Sequence, residues 1–304
     1  MLSGLHEIAD NYDAIFCDIW GVLHNGTTPF AGVPEALRQF KTSGKPVILL
    51  SNAPRPSSAA QQRLRNLGVP DDCYDEIVTS GNAAIDILSE RTKRGETYYF
   101  VGADKDMDTI EGFEDHQAEL ETADFILLTG MHDDLSETPE DYHAPMQDWL
   151  NHNLTVICAN PDRIVQMGDR ILFCAGAIAE IYEGMGGNVV WLGKPYPYVY
   201  DLARKRVFER LNLPKDTQIS ILAIGDGPKT DIVGANQETL DVIYITGGLG
   251  SSETDFDLTD PEKIKQRLAQ DGGYAFAAMK HLVWWLIIHK LLQMMPTPNI
   301  EINK

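Results

Sequence analysis

The run Ala14-Ile-Phe-Cys-Asp18-Ile-Trp-Gly-Val22 decides the fold, because an apolar stretch ends there at a carboxylate. A short apolar run bounded by turn residues is typical of a buried strand. Similar runs recur at 47–50, 98–101, 125–128, 154–158, 189–192, 219–224 and 242–245. Stretches with helical spacing lie between them, the first at 34–42. This alternation predicts parallel strands joined by crossover helices, which is an α/β fold.

Polar motifs follow four of these runs. They are Asp18-Ile-Trp-Gly-Val22, Ser51-Asn-Ala-Pro54, Gly193-Lys-Pro195 and Gly225-Asp-Gly-Pro-Lys-Thr-Asp231. In open α/β sheets, ligands bind beyond the carboxyl ends of the strands. The sequence therefore predicts that acids, a hydroxyl group and a lysine converge on one rim of a sheet.

Length and charge narrow the range of functions. The 304 residues favour two domains, and 43% hydrophobic with 23% charged residues is typical of a globular protein. A formal net charge of −20 disfavours nucleic acid and anionic lipid surfaces as partners. The same field repels an anionic substrate, so a phosphate site requires a metal ion or focused cationic groups.

Three features bear on location. The four cysteines are widely spaced without a CxxC pattern, which favours buried free thiols. Residues 1–13 have neither a basic start nor a long apolar core, so we predict no signal peptide or membrane span, and a cytoplasmic protein. The apolar segment 281–295 is too short to cross a bilayer. It predicts a terminal helix packed on the core or on a second subunit, with adsorption to a membrane surface as the minority alternative.

The four motifs supply the parts of a phosphoryl-transfer site. Asp18 can attack phosphorus and form an aspartyl-phosphate. Asp226, aided by Asp231 and a backbone carbonyl near Trp20, can hold Mg²⁺ through hard oxygen ligands.

Two further motifs serve the phosphate. Ser51 precedes a predicted helix at about 56–66, where a helix N-terminus favours an anion. Lys194 supplies the local positive charge that the acidic chain requires. Each residue alone has a structural alternative as a cap or turn former. Their joint order after successive strands indicates a site.

This ordered set resembles the four motifs of the haloacid dehalogenase (HAD) superfamily, most of whose members are phosphatases. Further segments are similar to its class IIA branch, whose members hydrolyse sugar phosphates, nucleotides, nitrophenyl phosphate or pyridoxal phosphate. These segments are Thr79-Ser-Gly-Asn-Ala83, Asn160-Pro-Asp162, Cys174-Ala-Gly-Ala-Ile178 and Gly193-Lys-Pro-Tyr-Pro197. The resemblance covers nearly the whole chain.

The resemblance implies a Rossmann-like three-layer HAD core with a parallel sheet, at 1–80 plus 188–304. Between its second and third motifs that branch inserts an α/β cap domain that sets substrate specificity. Residues 81–187 fit the cap, because they carry three strand-like runs and none of the four rim motifs. Dimerisation through the cap is common in the branch, so a homodimer is a further expectation.

Carried across residue by residue, the resemblance implies Asp18 as nucleophile and Lys194 as the charge clamp. It implies Ser51 and Asn52 as phosphate binders. The expected reaction is Mg²⁺-dependent hydrolysis of a small phosphorylated metabolite, of the sugar phosphate or nucleotide class, through an aspartyl-phosphate.

The implied metal ligands are Asp18, the backbone carbonyl of Trp20 and Asp226, with Asp231 in support. In the cap, Asn160, Asp162 and Arg163 follow a predicted strand and are weaker candidates for substrate contact. Asn-Pro-Asp is equally a turn that ends a strand.

One position departs from the family pattern. Phosphatases of this superfamily usually carry a second aspartate two residues after the nucleophile, which protonates the leaving oxygen and later activates water. This chain has Trp20 there. General acid–base catalysis is worth roughly 10²- to 10⁴-fold, so its loss should slow poor leaving groups most.

Several accounts of Trp20 stay open. In one account the acid comes from His24, Asn25, Asp162 or another cap residue. In a second the protein turns over only activated phosphates. A third account is dehalogenation, in which the aspartate attacks carbon. It ranks low because it needs no Mg²⁺, whereas Asp226 and Asp231 are retained. A protein of another class, a weakly active or inactive phosphometabolite binder, is the main alternative.

Overall fold

Two parallel sheets organise the chain. The computed structural model describes residues 1–167, 170–214, 216–248 and 258–285. The strands are β1 (Ala14–Asp18), β2 (Val47–Ser51), β3 (Glu76–Thr79), β4 (Tyr98–Val101), β5 (Phe125–Leu128), β6 (Thr155–Cys158), β7 (Ile164–Met167), β8 (Arg170–Phe173), β9 (Asn188–Trp191), β10 (Ile221–Gly225), β11 (Asp241–Ile245) and β12 (Ala277–Met279). The larger sheet has the order β12-β11-β10-β1-β2-β3, and the smaller has the order β4-β5-β6-β9. The predicted α/β class with a parallel sheet is confirmed.

Helices cover both sheets. They are α1 (Val33–Lys41), α2 (Ser57–Asn66), α3 (Ser80–Thr92), α4 (His143–Asn151), α5 (Ala175–Gly184), α6 (Pro197–Leu211), α7 (Val233–Gln237) and α8 (Pro261–Gln270). The predicted helix at 56–66 is confirmed as α2, with Pro56 at its N-cap. The predicted helix at 34–42 is confirmed as α1.

Strand residues of the larger sheet alternate between two apolar layers. Ile15 and Cys17 pack in one core with α1, whereas Ala14 and Phe16 pack in a second core with α6. Full burial of a large apolar side chain such as Ile15 or Phe16 contributes roughly 1.5–3 kcal/mol to the free energy of folding. Because both faces are covered, β1 reads as a continuous apolar run. The Rossmann-like three-layer arrangement is thereby confirmed.

The smaller sheet is also covered on both faces. Leu127 packs with Leu88 of α3 in one core, and Ile126 packs with Trp149 of α4 in the other. The segment from β4 to β9 thus has its own layered α/β structure, inserted between β3 and β10 of the larger sheet. Its assignment as a cap on a catalytic core stays a proposal.

Strand β9 corrects one predicted boundary. Residues 188–191 were expected with the larger sheet, but Asn188 lies beside Thr155 and Trp191 beside Cys158 in the smaller sheet. Parallel pairing with β6 satisfies the backbone groups along one edge of this strand, so the smaller sheet extends to Trp191. The chain crosses to the larger sheet after that residue.

The predicted C-terminal helix is wrong for residues 281–285 and lies outside the described residues beyond them. Residues 281–285 are described and are not helical, and the rest of 281–295 lies outside the described residues. The backbone N–H of Leu5 donates to the carbonyl of Val283, and the ring of His6 stacks on Trp285 with centroids 4.3 Å apart. Among the described helices, none is long and apolar enough to span a membrane. The four cysteines are free and buried, as predicted.

Asp106, in the segment from β4 to β9, makes the stability of the protein depend on pH. It lies in the 3-10 helix Asp104–Thr109, its side chain is 1% exposed, and its Oδ1 has no hydrogen-bond partner. Burial raises its pKa to about 6, with Asp134 adding to the shift and Lys105, Arg55 and Thr129 opposing it. Because ionisation is disfavoured in the folded state, the native protein loses stability as the pH rises from about 4 to about 6.

Asp106→Asn should therefore gain stability relative to the native chain as the pH rises. The gain in the free energy of unfolding should reach about 3 kcal/mol above pH 6 and vanish near pH 4. Urea unfolding at several pH values measures it. Asp148→Asn, at an exposed position of α4, serves as the control. A difference that does not vary with pH would contradict this account of Asp106.

Candidate active site

The candidate site lies at the carboxyl edge of the larger sheet. Asp18 ends β1, which lies between β2 and β10, and Asp226 directly follows β10. Parallel strands bring these ends to one rim. Both carboxylates are buried, with 7% and 5% of each residue exposed.

Lys194 enters this rim from the end of the smaller sheet. Its Nζ donates to Oδ1 of Asp18 at 2.5 Å and to Oδ1 of Asp231 at 2.7 Å. Burial alone would lower the pKa of Lys194, but the two carboxylates outweigh it and raise that pKa well above its usual value. The ammonium group is therefore charged at neutral pH.

Three carboxylates form a compact group of oxygen ligands. Asp18, Asp226 and Asp231 each offer an oxygen atom within 4.8 Å of the others. Burial and the neighbouring Asp231 and Asp226 raise the pKa of Asp18, against the opposing effect of Lys194. The single positive charge of Lys194 does not balance three negative carboxylates. Lys194 together with a divalent cation would balance them. The donor set fits Mg²⁺, which prefers carboxylate oxygens.

Close backbone approach shapes this group. A Cβ atom at Gly21 would lie 2.0 Å from Oδ2 of Asp226, and one at Gly248 would lie 2.3 Å from it. Gly21 also has a φ of +95°, which favours glycine. Glycine at these positions lets two loops close on Asp226. Gly21 belongs to the first motif, but its contact with Asp226 has no signal in the local sequence.

Asp231 is held in place by a turn. Its Oδ2 accepts from the backbone N–H of Gly227 at 3.0 Å, while its Oδ1 accepts from Lys194. A Cβ atom at Gly225 would lie 2.2 Å from Cβ of Asp231. Both oxygens of Asp231 thus serve protein groups, which fits a supporting role beside a metal.

The two polar residues at the end of β2, Ser51 and Asn52, make different contacts. The hydroxyl of Ser51 is half-buried and accepts from the backbone N–H of Ala53 at 3.1 Å. The Asn52 carboxamide bonds to both backbone groups of Lys194 and to Asp162. A phosphate contact from Asn52 would therefore fall to its backbone amide, because the side chain is engaged by the protein.

The three residues of the predicted cap that were expected to contact substrate take different positions in the structure. Asp162 reaches the site and accepts from Nδ2 of Asn52 at 2.8 Å. Asn160 is buried and shapes the turn, since its Oδ1 accepts from the backbone N–H of Asp162. Arg163 is exposed and points to Glu180, with 2.8 Å between Nε and Oε2.

Trp20 lies two residues after Asp18, where the family resemblance led us to expect a second aspartate. Its ring is half-buried and lies 5.0 Å from the guanidinium carbon of Arg63. Arg63 comes from α2, and no local sequence pattern predicts this stack between residues 43 positions apart. The indole offers an N–H donor and has no acid function.

Two predicted substitutes for the missing acid serve other purposes. His24 is buried, and its Nδ1 accepts from the backbone N–H of Gly26 at 2.9 Å. Burial, with help from Arg63, lowers the pKa of His24 to about 4, so the ring is neutral at pH 7. The side chain of Asn25 accepts from backbone N–H groups of its own loop. Neither residue is placed to protonate a leaving group.

Two family profiles match the chain. One, described as haloacid dehalogenase-like hydrolase, covers residues 15–114, and one described as HAD-hydrolase-like covers residues 191–270. The chain is 28% identical over 250 residues to the ribonucleotide monophosphatase NagD of Escherichia coli K12, covering 78% of this chain and 88% of that protein.

Solved structures agree with these matches. A hydrolase of the haloacid dehalogenase-like family from Brucella suis is 35% identical, with a TM-score of 0.78 over 93% of this chain and 100% of that one. A 4-nitrophenylphosphatase from Thermotoga maritima is 21% identical, with a TM-score of 0.68 over 92% and 98%. The second likeness shows the fold alone.

Lys194→Met should destabilise the protein by about 3–5 kcal/mol, because it leaves buried carboxylates without their counter-charge. The measurement is urea unfolding with a chelator present, so that no cation replaces the ammonium. Lys205→Met is the control: its side chain is 53% exposed, with a 4.0 Å contact to Glu209, and it should change stability by less than about 0.5 kcal/mol. Equal effects of the two substitutions would contradict the account of Lys194.

Proposed function

Because the chain belongs to the haloacid dehalogenase-like hydrolase family, we propose that it is a Mg²⁺-dependent phosphatase acting through an aspartyl-phosphate on Asp18. The predicted enzyme, a hydrolase of this family with phosphatases among its relatives, is confirmed. The observation that carries the proposal is the ammonium group of Lys194 between Asp18 and Asp231, with Asp226 close by.

The first half-reaction forms the aspartyl-phosphate. An oxygen of Asp18 attacks phosphorus, and the bond from phosphorus to the leaving oxygen breaks, with its electron pair going to that oxygen. The ammonium of Lys194 stabilises the negative charge that gathers beside Asp18. Asp18, Asp226 and the Trp20 carbonyl, with Asp231 in support, would hold Mg²⁺. The bound ion would neutralise negative charge on the phosphate oxygens.

The second half-reaction restores the enzyme. Water attacks phosphorus, and the bond from phosphorus to the Asp18 oxygen breaks, which releases inorganic phosphate and the free carboxylate. The proton lost by the attacking water passes to solvent or to phosphate. Trp20 supplies no base for this step.

The substrate is proposed to be a small phosphorylated metabolite of the sugar phosphate or nucleotide class. The ribonucleotide activity in the name of the Escherichia coli relative supports the nucleotide class. A cytoplasmic location and a homodimer stay predictions. Sedimentation at two protein concentrations would test the homodimer.

Trp20 favours a second candidate, a weakly active or inactive phosphometabolite-binding protein of the same fold. The usual acid is replaced, and His24 and Asn25 are engaged elsewhere. Dehalogenation ranks third, because attack on carbon gives no use to three buried carboxylates with the composition of a metal site.

Leaving-group dependence tests the phosphatase proposal. The value of kcat/KM for 4-nitrophenyl phosphate with Mg²⁺ should exceed that for an alkyl phosphate by roughly 10²- to 10⁴-fold, because only the alkoxide leaving group requires protonation. Trp20→Asp should narrow this gap by raising kcat/KM for the alkyl phosphate. Asp18→Asn should abolish both activities, measured as released phosphate.

A panel of sugar phosphates and nucleotides, assayed with and without Mg²⁺, would then identify the substrate class. Release of no phosphate from any member, by protein that still binds Mg²⁺ in a calorimetric titration, would contradict the phosphatase and support the binder.

A further inference from the structure

One amide side chain connects the catalytic lysine to the smaller sheet. Oδ1 of Asn52 accepts from the backbone N–H of Lys194 at 2.8 Å, and Nδ2 of Asn52 donates to the backbone carbonyl of Lys194 at 3.1 Å. The carboxamide thus pairs with both backbone groups of one residue. This pairing fixes the backbone from which the Lys194 side chain reaches Asp18.

The second N–H of the same amide has a partner in the smaller unit. Nδ2 of Asn52 also donates to Oδ1 of Asp162, at 2.8 Å. An amide nitrogen has two N–H donors, so both donors of Asn52 have an acceptor. Asn52 is 7% exposed, and in such a site an unpaired donor is costly because water does not replace the lost partner.

Asp162 is itself held firmly. Its backbone N–H donates to Oδ1 of Asn160 at 3.1 Å, and its carbonyl accepts from the N–H of Gly176 at 3.1 Å. A Cβ atom at Gly176 would lie 2.5 Å from that carbonyl oxygen, so α5 begins in direct contact with the turn. The carboxylate is therefore presented from a rigid turn.

The loops around Asn52 leave no space for a different arrangement. A Cβ atom at Gly193 would lie 2.6 Å from Oδ1 of Asn52, 2.5 Å from Cδ of Pro161 and 2.5 Å from the hydroxyl of Ser80. Three loops, which follow β2, β6 and β9, thus pack directly on one another and on the first residue of α3. A change in one is transmitted to the others through contacts and not through solvent.

From this geometry we propose that Asp162 is a positioning residue for Lys194, acting through the carboxamide of Asn52. Asp162 accepts the second amide hydrogen, which fixes the plane of the carboxamide. That plane then fixes the Lys194 backbone through two hydrogen bonds. The proposal rests on the proposed function only through the role of Lys194 beside Asp18.

The role requires an acceptor and not a charge. The amide oxygen of asparagine can accept the same hydrogen bond, whereas alanine cannot. Asp162→Asn should therefore preserve the arrangement, and Asp162→Ala should release it. A general acid at Asp162 would behave differently, because asparagine cannot protonate a leaving group.

The test compares Asp162→Ala, Asp162→Asn and the exposed control Asp148→Ala in the full-length protein. Hydrogen exchange of the Lys194 backbone amide, followed by NMR, should be at least about 10-fold faster in Asp162→Ala, since its bond to Asn52 is weakened. It should stay within about threefold of the native rate in the other two. Asp162→Ser is a second truncation, for use if the alanine variant does not fold.

Kinetics with 4-nitrophenyl phosphate give an independent readout. In Asp162→Ala, kcat should fall about 10-fold with KM little changed, because the interaction with Lys194 matters in the transition state. In the separate variant Asp162→Asn, kcat should stay close to the native value. With an alkyl phosphate assayed beside 4-nitrophenyl phosphate, a loss of activity in both variants that is confined to the alkyl phosphate would show a general acid and overturn the proposal.

Unchanged exchange at Lys194 in Asp162→Ala would also overturn it. A native protein that hydrolyses no phosphate ester would contradict the proposed function alone, because the exchange measurement still decides the role of Asp162.

Discussion

The buried pairing of one ammonium with two carboxylates constrains most of the molecule. Lys194 meets Asp18 and Asp231, which lie 176 and 37 residues away in the chain. Burying these charges costs much free energy unless each is paired and well oriented. The loops after β1, β9 and β10 must therefore keep one fixed arrangement. Two sheets that could pack independently are joined at this point.

The same constraint explains the glycines around the site. Carboxylates that share a counter-charge must approach one another closely, and so must the backbones that carry them. Gly225 allows the turn to fold back on Asp231, and Gly21 with Gly248 allows two loops to reach Asp226. The acidic chain, with a formal charge of −20, thereby places a fixed cation and a compact ligand set where an anion would bind. The local site offsets a repulsive global field.

Apolar periodicity was sufficient to predict much of the fold. The runs at 14–17, 47–50 and 125–128 became β1, β2 and β5, because strands buried on both faces leave a continuous apolar signal. Strand β3 was missed since its four residues, Glu76–Thr79, include only two aliphatic side chains. The assignment of β9 to the wrong sheet has another cause: an apolar run does not encode which strand it pairs with.

The candidate site was likewise predictable from the sequence only in part. Strand ends were sufficient to bring Asp18 and Asp226 together, because parallel topology places such ends on one rim. Lys194 reaches the same rim from the end of β9 in the smaller sheet, which the rule for a single sheet does not predict. The engagement of Asn52 by Lys194 depends on residues 142 positions apart, and no local pattern indicates it. The neutral state of His24 arises from burial, which a single residue in a polar loop does not reveal.

Trp20 affects both halves of the proposed reaction. In the first, a missing acid slows departure of a poor leaving group, whereas in the second a missing base slows attack by water. In the proposed mechanism the second effect does not depend on the substrate, because every substrate would pass through the same aspartyl-phosphate. Asp18 is 7% exposed, and Trp20 packs against Arg63. If the proposed mechanism holds, a site without this acid and base would favour formation of the phosphorylated aspartate from activated esters over its hydrolysis. The position of the chain between phosphatase and phosphate binder depends on this second step.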